Sequence, residues 1–538
     1  MNEKKSELGQ LIQISLPLNE ASNWKRLIQE IVPGSIVIQG TNVSRSHDVK
    51  KFVEGVKNIC DELSIPDSRR PMIGITHEGG WISRIHDIAN SPGNMALAAT
   101  DSLSYTYSAY RAMGQELSLL GIDWNLAPTV DINSNPVNPI IGVRSFGDDA
   151  KKVAENSISA YNGLKDAGLI ACAKHFPGHG ASVRDSHLEI PTVDKNLNEL
   201  MKSDLVPYRE LIAKGIDSIM ISHIFYPKLE KESNVIPASL SERIINKLLR
   251  LKMGFDGLVI TDSLSMSAVA DNFSMETATI MSVQAGVDVL ECAEPNKYMD
   301  IFQTLQDSVR SGEISRKRIG QSLNRFKALR NVSLNRKASS SKWSNEVLRN
   351  VVSASANAAI TVLRQGKLNK DTIKINQFIN SVFFTRNRIL EAKSPEQLKS
   401  PVQEIINSWG MKSRFNLVLP RNLSEKEIDE NVNLIISKKR KDDFLLVFMN
   451  DSTAYYKTDI GVPSQVTILR RLVPTFNDRL AVIGTGTPYE VNLLPEQVTY
   501  ISAYSYAPLS LSASVGVVLG ALPARGKLPV KISKFPLH

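Results

Sequence analysis

Three of the chain's eight histidines, His175, His179 and His187, fall within residues 169–192. They sit in the run Lys174-His175-Phe176-Pro177-Gly178-His179-Gly180 and in the Asp185-Ser186-His187 that follows it. Imidazole titrates nearest neutral pH of all side chains, so such a cluster points to proton transfer or to metal binding. Pro177 and its neighbouring glycines argue against a helix, which removes the case for His175 and His179 as two ligands on one helical face. No HExxH pattern or cysteine pair accompanies them, so no metal is expected. Asp185 and His187 are two residues apart, and in an extended loop such side chains face the same way. Asp185 can then hold one ring nitrogen while the other handles a proton. A helix-capping aspartate beside a surface histidine would have the same spacing. Asp262 directly follows the apolar run 257–260. A carboxylate at the end of a strand is well placed to act on a substrate, and it is also a common helix N-cap.

These residues need strands to position them. Short apolar runs at residues 35–39, 72–75, 124–127, 169–173, 218–221, 257–261 and 287–291 read as buried strands. Amphipathic segments at 48–63, 95–120 and 149–167 lie between them. The alternation predicts an α/β fold with a parallel sheet, most simply a TIM-type (β/α)8 barrel, whose closure requires one strand beyond these seven. Each run ends in polar residues: Thr76-His77-Glu78, Asp131 and Asn133, Lys174-His175, Ser222-His223, and Asp262. In a barrel all would gather at one rim, where such folds carry their chemistry.

From residue 326 to 351 the pattern dissolves into Lys, Arg, Ser and Asn, including Ser339-Ser340-Ser341. A linker is placed at 336–350, dividing a domain of residues 1–335 from one of 351–538. Runs at 359–363, 444–448, 480–484 and 498–502 read as strands of this second α/β domain. Its Gly484-Thr485-Gly486-Thr487-Pro488-Tyr489 lacks the third glycine of a dinucleotide loop and does not match a phosphate loop.

At 538 residues, 42% apolar and 22% charged, the composition is that of a soluble protein of several domains. The net charge of +9 is uneven: residues from Arg336 onward hold 28 Lys and Arg against 16 Asp and Glu. Such an excess suits an anionic partner or a solvated basic face. Cys60, Cys172 and Cys292 are far apart and cannot all pair, which fits a reducing compartment. The charged start Met1-Asn2-Glu3-Lys4-Lys5 leads into no long apolar stretch, so a cytoplasmic location is expected.

The Lys174–Gly180 run with Asp185-Ser186-His187, followed by Gly257-Leu258-Val259-Ile260-Thr261-Asp262-Ser263-Leu264-Ser265-Met266, resembles the family-3 glycoside hydrolases, specifically their bacterial β-N-acetylhexosaminidase branch. Four further elements extend the resemblance over residues 8–330. They are Glu78-Gly79-Gly80 with Arg84, Ala127-Pro128-Thr129-Val130-Asp131-Ile132 with Arg144-Ser145-Phe146-Gly147, Ser222-His223-Ile224, and Pro237-Ala238-Ser239-Leu240-Ser241. The second domain, ending Gly526-Lys527-Leu528-Pro529-Val530, is more loosely similar to that family's C-terminal α/β sandwich.

The resemblance implies that Asp262 is the nucleophile, that His187 is the proton donor, and that Asp185 supports His187. It implies that Lys174, His175, Arg144, Asp131 and Thr76 line the sugar pocket. The implied activity is that of a retaining exo-β-N-acetylglucosaminidase acting on cell-wall-derived sugars, without cofactor, nucleic acid or membrane partner. Two adjacent positions depart from the family pattern: Thr76 and His77 stand where Asp-Gln usually precedes Glu-Gly-Gly. A threonine has fewer acceptor sites than a carboxylate and no charge, which bears on the sugar rather than on the chemistry. Two alternatives stand beside hydrolysis. A histidine acid/base repels an anionic acceptor less than a glutamate would, which suits a phosphorylase or transglycosylase. Thr76 suits a sugar-binding member with weak or altered activity.

Overall fold

The computed structural model describes residues 7–16, 21–39, 44–183, 186, 190–230, 235–339, 342–368, 373, 377–385, 401–420, 423–450 and 464–532. The chain divides into two compact units. The first comprises Met1–Ser91, Leu103–Ile141 and Ser145–Val352, and the second Pro92–Ser102, Gly142–Arg144 and Ser353–His538.

The first unit is built on eight parallel strands: β1 (Ile12–Ser15), β2 (Ser35–Ile38), β3 (Met72–Ile75), β4 (Trp124–Asn125), β5 (Ile170–Phe176), β6 (Ser218–Ile221), β7 (Leu258–Thr261) and β8 (Leu290–Glu291). They run in the order β7-β6-β5-β4-β3-β2-β1-β8. A parallel bridge between Ile260 and Val289 joins the two ends into a TIM-type barrel. β2, β3, β6 and β7 are short and wholly buried. Their Ile and Val side chains suit a pleated surface covered on both faces. Val37, Met72, Trp124, Ile170, Cys172, Met220, Leu258, Ile260 and Val289 converge in one apolar cluster with Phe326 and Leu329.

The strand missing from the sequence reading is β1, because Gln13 and Ser15 interrupt its apolar pattern. Both are buried, and Gln13 Nε2 donates to Ser35 Oγ at 2.9 Å, so polar side chains point into a strand-lined interior. β5 is longer than expected. Lys174, His175 and Phe176, read as the start of a loop, complete the strand.

Around the barrel, α1 (Ser46–Glu62) buries Val49, Phe52, Val56 and Cys60, a helical stripe. The single helix expected over 95–120 is broken at Asp101, whose φ is +53°, and only α2 (Leu103–Leu119) continues beyond it. In α3 (Ala150–Asp166) the Asp149 carboxylate accepts the Lys152 amide at 2.9 Å and caps the N-terminus. The expected linker is helical at both its ends. α4 (Arg316–Ser339) runs into it, and α5 (Asn345–Ala359) begins within it. The cations that read as linker composition serve as anchors. Arg336 Nη1 bonds Asp217 at 2.6 Å and Lys337 Nζ bonds Asp123 at 2.7 Å, each acid just ahead of a barrel strand.

The second unit holds a six-stranded sheet of β9 (Thr361–Arg364), β10 (Ile379–Thr385), β11 (Asn416–Pro420), β12 (Phe444–Met449), β13 (Leu480–Gly484) and β14 (Thr499–Ser502). Its order is β11-β10-β12-β13-β14-β9, with only β9 antiparallel to its neighbour. Alternate residues feed two separate cores: Leu445, Val447 and Met449 enter one, Phe444, Leu446 and Phe448 the other. That double burial makes the unit an α/β sandwich. Cys60, Cys172 and Cys292 are buried free thiols. No helix among the described residues is long and apolar enough to cross a membrane.

Candidate active site

The C-terminal ends of β3, β5, β6, β7 and β8 bring Glu78, Lys174, His175, His223, Asp262 and Glu291 to one rim of the barrel. The Lys174 ammonium meets Glu78 Oε1 at 2.8 Å, with side-chain exposures of 3% and 2%. Glu78 is held from behind: its amide donates to the Ile82 carbonyl, and neighbouring His77 is locked between the Arg84 amide at Nδ1 (3.0 Å) and Asn90 Oδ1 at Nε2 (2.6 Å). The Nε2 proton is fixed by that arrangement. Burial, ahead of Arg84 and His86, holds His77 down to about 4 and keeps it neutral near pH 7.

A buried ion pair is weak evidence for stability, but removing one partner strands the other. Glu78→Gln is therefore expected to destabilise the first unit by about 3–5 kcal/mol, the cost of leaving a buried charge unpaired. Urea titration of the variant measures it. A change below about 1 kcal/mol, the worth of an exposed pair, would mean that water reaches Lys174.

Asp131, one of the residues that the resemblance places in the sugar pocket, is bound to the run that carries His175 and His179. Its carboxylate accepts the His175 amide (3.1 Å), the His179 amide (2.7 Å) and the His175 Nδ1 proton (2.8 Å). Burial would raise its pKa, and the pairing with His175 together with the His179 amide outweighs it, leaving the group below its ordinary value. Asp131 thus fixes the backbone of residues 175–179 and the orientation of the His175 ring. The Lys174–His175 and Phe176–Pro177 peptide bonds are cis. Gly178 sits at φ +142°, and a Cβ on Gly180 would lie 1.8 Å from the Ile132 carbonyl oxygen, so the run cannot carry larger residues there.

His179 is engaged at both ring nitrogens: its Nδ1 bonds Ser182 Oγ (2.9 Å) and its Nε2 Ser186 Oγ (3.2 Å). Asp185 and His187 lie outside the described residues. Ser186 between them is described, and it is tethered twice, through its hydroxyl to His179 and through its carbonyl, which accepts the Ala268 amide at 3.3 Å.

Asp262 is partly exposed, and its Oδ1 accepts the Ser263 amide at 2.9 Å. Among the described residues its Oδ2 has no such partner. Burial alone would raise this carboxyl. His175, His223, the Ser263 amide and Lys174 outweigh that effect and hold it at about 2. His223 is itself fixed, accepting from Ser239 at Nδ1 (2.7 Å) and donating from Nε2 to the Ser263 carbonyl (2.8 Å). It joins the segments 222–224 and 237–241 to the Asp262 turn. Thr76 is partly exposed just after β3. Arg144 closes the short turn Gly142–Arg144 of the second unit, where its carbonyl accepts the Asn94 side-chain amide at 2.6 Å. Glu78, His223 and Glu291 were not singled out as site residues in the sequence. Their position after a strand was the available signal. Among the described residues no three His, Cys, Asp or Glu side chains gather as metal ligands.

Comparisons with known proteins bear on the family. The chain is 33% identical over 311 residues to "Beta-hexosaminidase A" of Pseudoalteromonas piscicida, covering 52% of each. It is 34% identical over 266 residues to "Beta-hexosaminidase LpqI" of Mycobacterium tuberculosis, covering 48% of this chain and 67% of that one. The chain thus spans about half the length of the first of these relatives. The solved structure of a glycoside hydrolase family 3 beta-N-acetylglucosaminidase from Paenibacillus sp. str. FPU-7 superposes with a TM-score of 0.86 at 29% identity, covering 99% of both chains. Residues 3–329 match the profile described as "Glycosyl hydrolase family 3 N terminal domain", and the chain belongs to glycosyl hydrolase family 3.

Proposed function

We propose that this chain is a retaining exo-β-N-acetylglucosaminidase that cleaves terminal β-linked N-acetylhexosamine, as found in cell-wall-derived sugars. The observation that carries the reading is Asp262: an ionised, partly exposed carboxylate at the barrel rim, anchored through one oxygen and surrounded by Lys174, His175 and His223. A retaining glycosidase needs such a nucleophile on one face of the sugar and an acid/base on the other. Asp262 attacks the anomeric carbon as His187 gives its proton to the departing oxygen. Water then adds to the glycosyl-Asp262 ester as His187 takes the proton back. Asp185 stabilises the imidazolium. The tethering of Ser186 to His179 and to Ala268 supports placing this dyad near Asp262. Lys174 has three donors and gives one to Glu78, so further donors remain for sugar hydroxyls or an acetamido oxygen. The hexosaminidase relatives and the Paenibacillus structure support N-acetylglucosamine as the sugar. Thr76, with its single hydroxyl, sets the sugar's non-reducing end apart from that of members with a carboxylate there.

A panel of chromogenic β-glycosides, run with and without phosphate and followed by NMR, tests the assignment. The expected result is preferential release of N-acetylglucosamine, first as the β-anomer and without sugar phosphate. First appearance of the α-anomer or formation of sugar 1-phosphate would overturn it, as would absence of turnover across the panel.

A further inference from the structure

Glu291 ends β8 and has no part in the chemistry proposed above. Its backbone is stitched to the turn that carries Asp262. The Glu291 amide donates to Thr261 Oγ1 (3.0 Å), the Leu264 amide to the Glu291 carbonyl (2.9 Å), and the Ala293 amide to Ser263 Oγ (2.9 Å). Glu291 is itself 6% exposed, and its Oε2 is buried with no hydrogen-bond partner among the described residues. A carboxylate there would be a charge removed from water with one oxygen unpartnered and only the Ser263 hydroxyl to compensate it, whereas the protonated acid is tolerated at much lower cost.

Of the groups that face it, only the Ser263 hydroxyl offers relief. β7 contributes Asp262, and β1 contributes the neutral Gln13, paired in register with Glu291. Cys292 beside it and Tyr298 beyond are both raised by burial first and further by Glu291 and neighbouring acid. Burial raises Glu291 to about 8 against the opposing hydrogen bond from Ser263, and the Asp262 charge adds a smaller push in the same direction as burial.

We propose that Glu291 is a positioning residue for Asp262: a neutral, protonated carboxyl that holds the nucleophile's turn in place only while it keeps its proton. The inference rests on reading Asp262 as the nucleophile. Loss of the proton to solvent sets a second anion beside Asp262 and leaves it unpaired, loosening the hydrogen bonds between residues 261–264 and 290–293. The folded-state value lies above the unfolded one. The stability contributed by protonated Glu291 is therefore complete below about 4.5 and is lost as pH rises through about 8.

The test compares the full chain with Glu291→Gln, a neutral isostere, and with Glu291→Val as a second, apolar variant. Turnover of a chromogenic β-N-acetylglucosaminide and melting temperature are recorded from pH 6 to pH 9. The fall in kcat between pH 7 and pH 9 is expected to be about tenfold larger in the wild type than in either variant, as one group titrating near 8 requires. Titration of His187 is common to all three and cancels. The melting temperature is expected to fall over the same interval only where Glu291 is present. Superposable kcat profiles overturn the positioning role, even if the melting curves differ. The melting comparison requires no catalysis. A melting difference alongside hydrolysis that survives Asp262→Asn therefore identifies a failure of the nucleophile reading rather than of Glu291's buried neutrality.

Discussion

Asp262→Asn is expected to lower kcat at least about a thousandfold, about 4 kcal/mol of barrier, with the fold intact. The amide oxygen can still accept the Ser263 amide that Asp262 Oδ1 accepts now, so the turn keeps its hydrogen bond. What disappears is the anion. Burial opposes the charge on Asp262, and His175, His223, the Ser263 amide and Lys174 are arranged so that it prevails, at about 2. An amide gains nothing from those neighbours and forms no glycosyl ester. The same electrostatics constrain the pH profile. Because the folded value is depressed, the stability tied to ionised Asp262 is present above its ordinary value of 3.8 and is lost as pH falls through about 2. An acid limb of the activity profile at higher pH therefore belongs to another group. Steady-state turnover of the variant, with mass spectrometry of a trapped glycosyl adduct on the wild type, measures both. Turnover within about tenfold of the wild type, or an adduct on a peptide lacking Asp262, would remove this residue from the mechanism.

The framework was legible where the side chains obey one rule at a time. β3 and β6 fall where apolar runs of Met72–Ile75 and Ser218–Ile221 predict them, because a strand covered on both faces reads as continuous hydrophobicity. The strands that escaped notice carry polar residues whose partners are remote in sequence. Gln13 of β1 reaches Ser35. In β10, Asn380 gives its side-chain amide to Asp443 and accepts the Arg414 amide, so a residue that reads as a loop former is satisfied inside a sheet. Arg336 and Lys337 resembled linker because their acids, Asp217 and Asp123, lie more than a hundred residues away.

The candidate site divides in the same way. Asp262, Lys174 and His175 could be picked out by type and by position after a strand. The division of labour among them could not. Glu78 and Lys174 are 96 residues apart in the chain, and only the barrel brings them to 2.8 Å. Asp131, which the resemblance places in the sugar pocket, has its carboxylate engaged by the His175 and His179 amides and the His175 ring, contacts that the spacing did not announce. Residue type announces a carboxylate, and only packing tells which backbone and ring donors it gathers.

The second large effect is expected at His187, and it depends on the leaving group. Removing a general acid/base costs about 10²–10⁴ in rate. For His187→Ala that loss should appear in full on substrates with a poor leaving group, such as a chitobiose-like disaccharide, which need a proton on the departing oxygen. A nitrophenyl aglycone departs without one, so under the proposed mechanism glycosylation of Asp262 should survive and the block should move to hydrolysis of the ester, the step in which His187 is proposed to act as base. Azide needs no base. It should therefore restore turnover of the nitrophenyl substrate and yield a glycosyl azide of β configuration, while leaving disaccharide cleavage unrescued. Asp185→Asn should weaken both steps through loss of the charge that stabilises the imidazolium, without responding to azide as strongly. Equal losses on both substrate types, or azide without effect on His187→Ala, would assign the proton to a different residue. The tether of Ser186 to His179 and Ala268 would then be structural, holding the loop to the barrel rim rather than presenting an acid to the glycosidic oxygen.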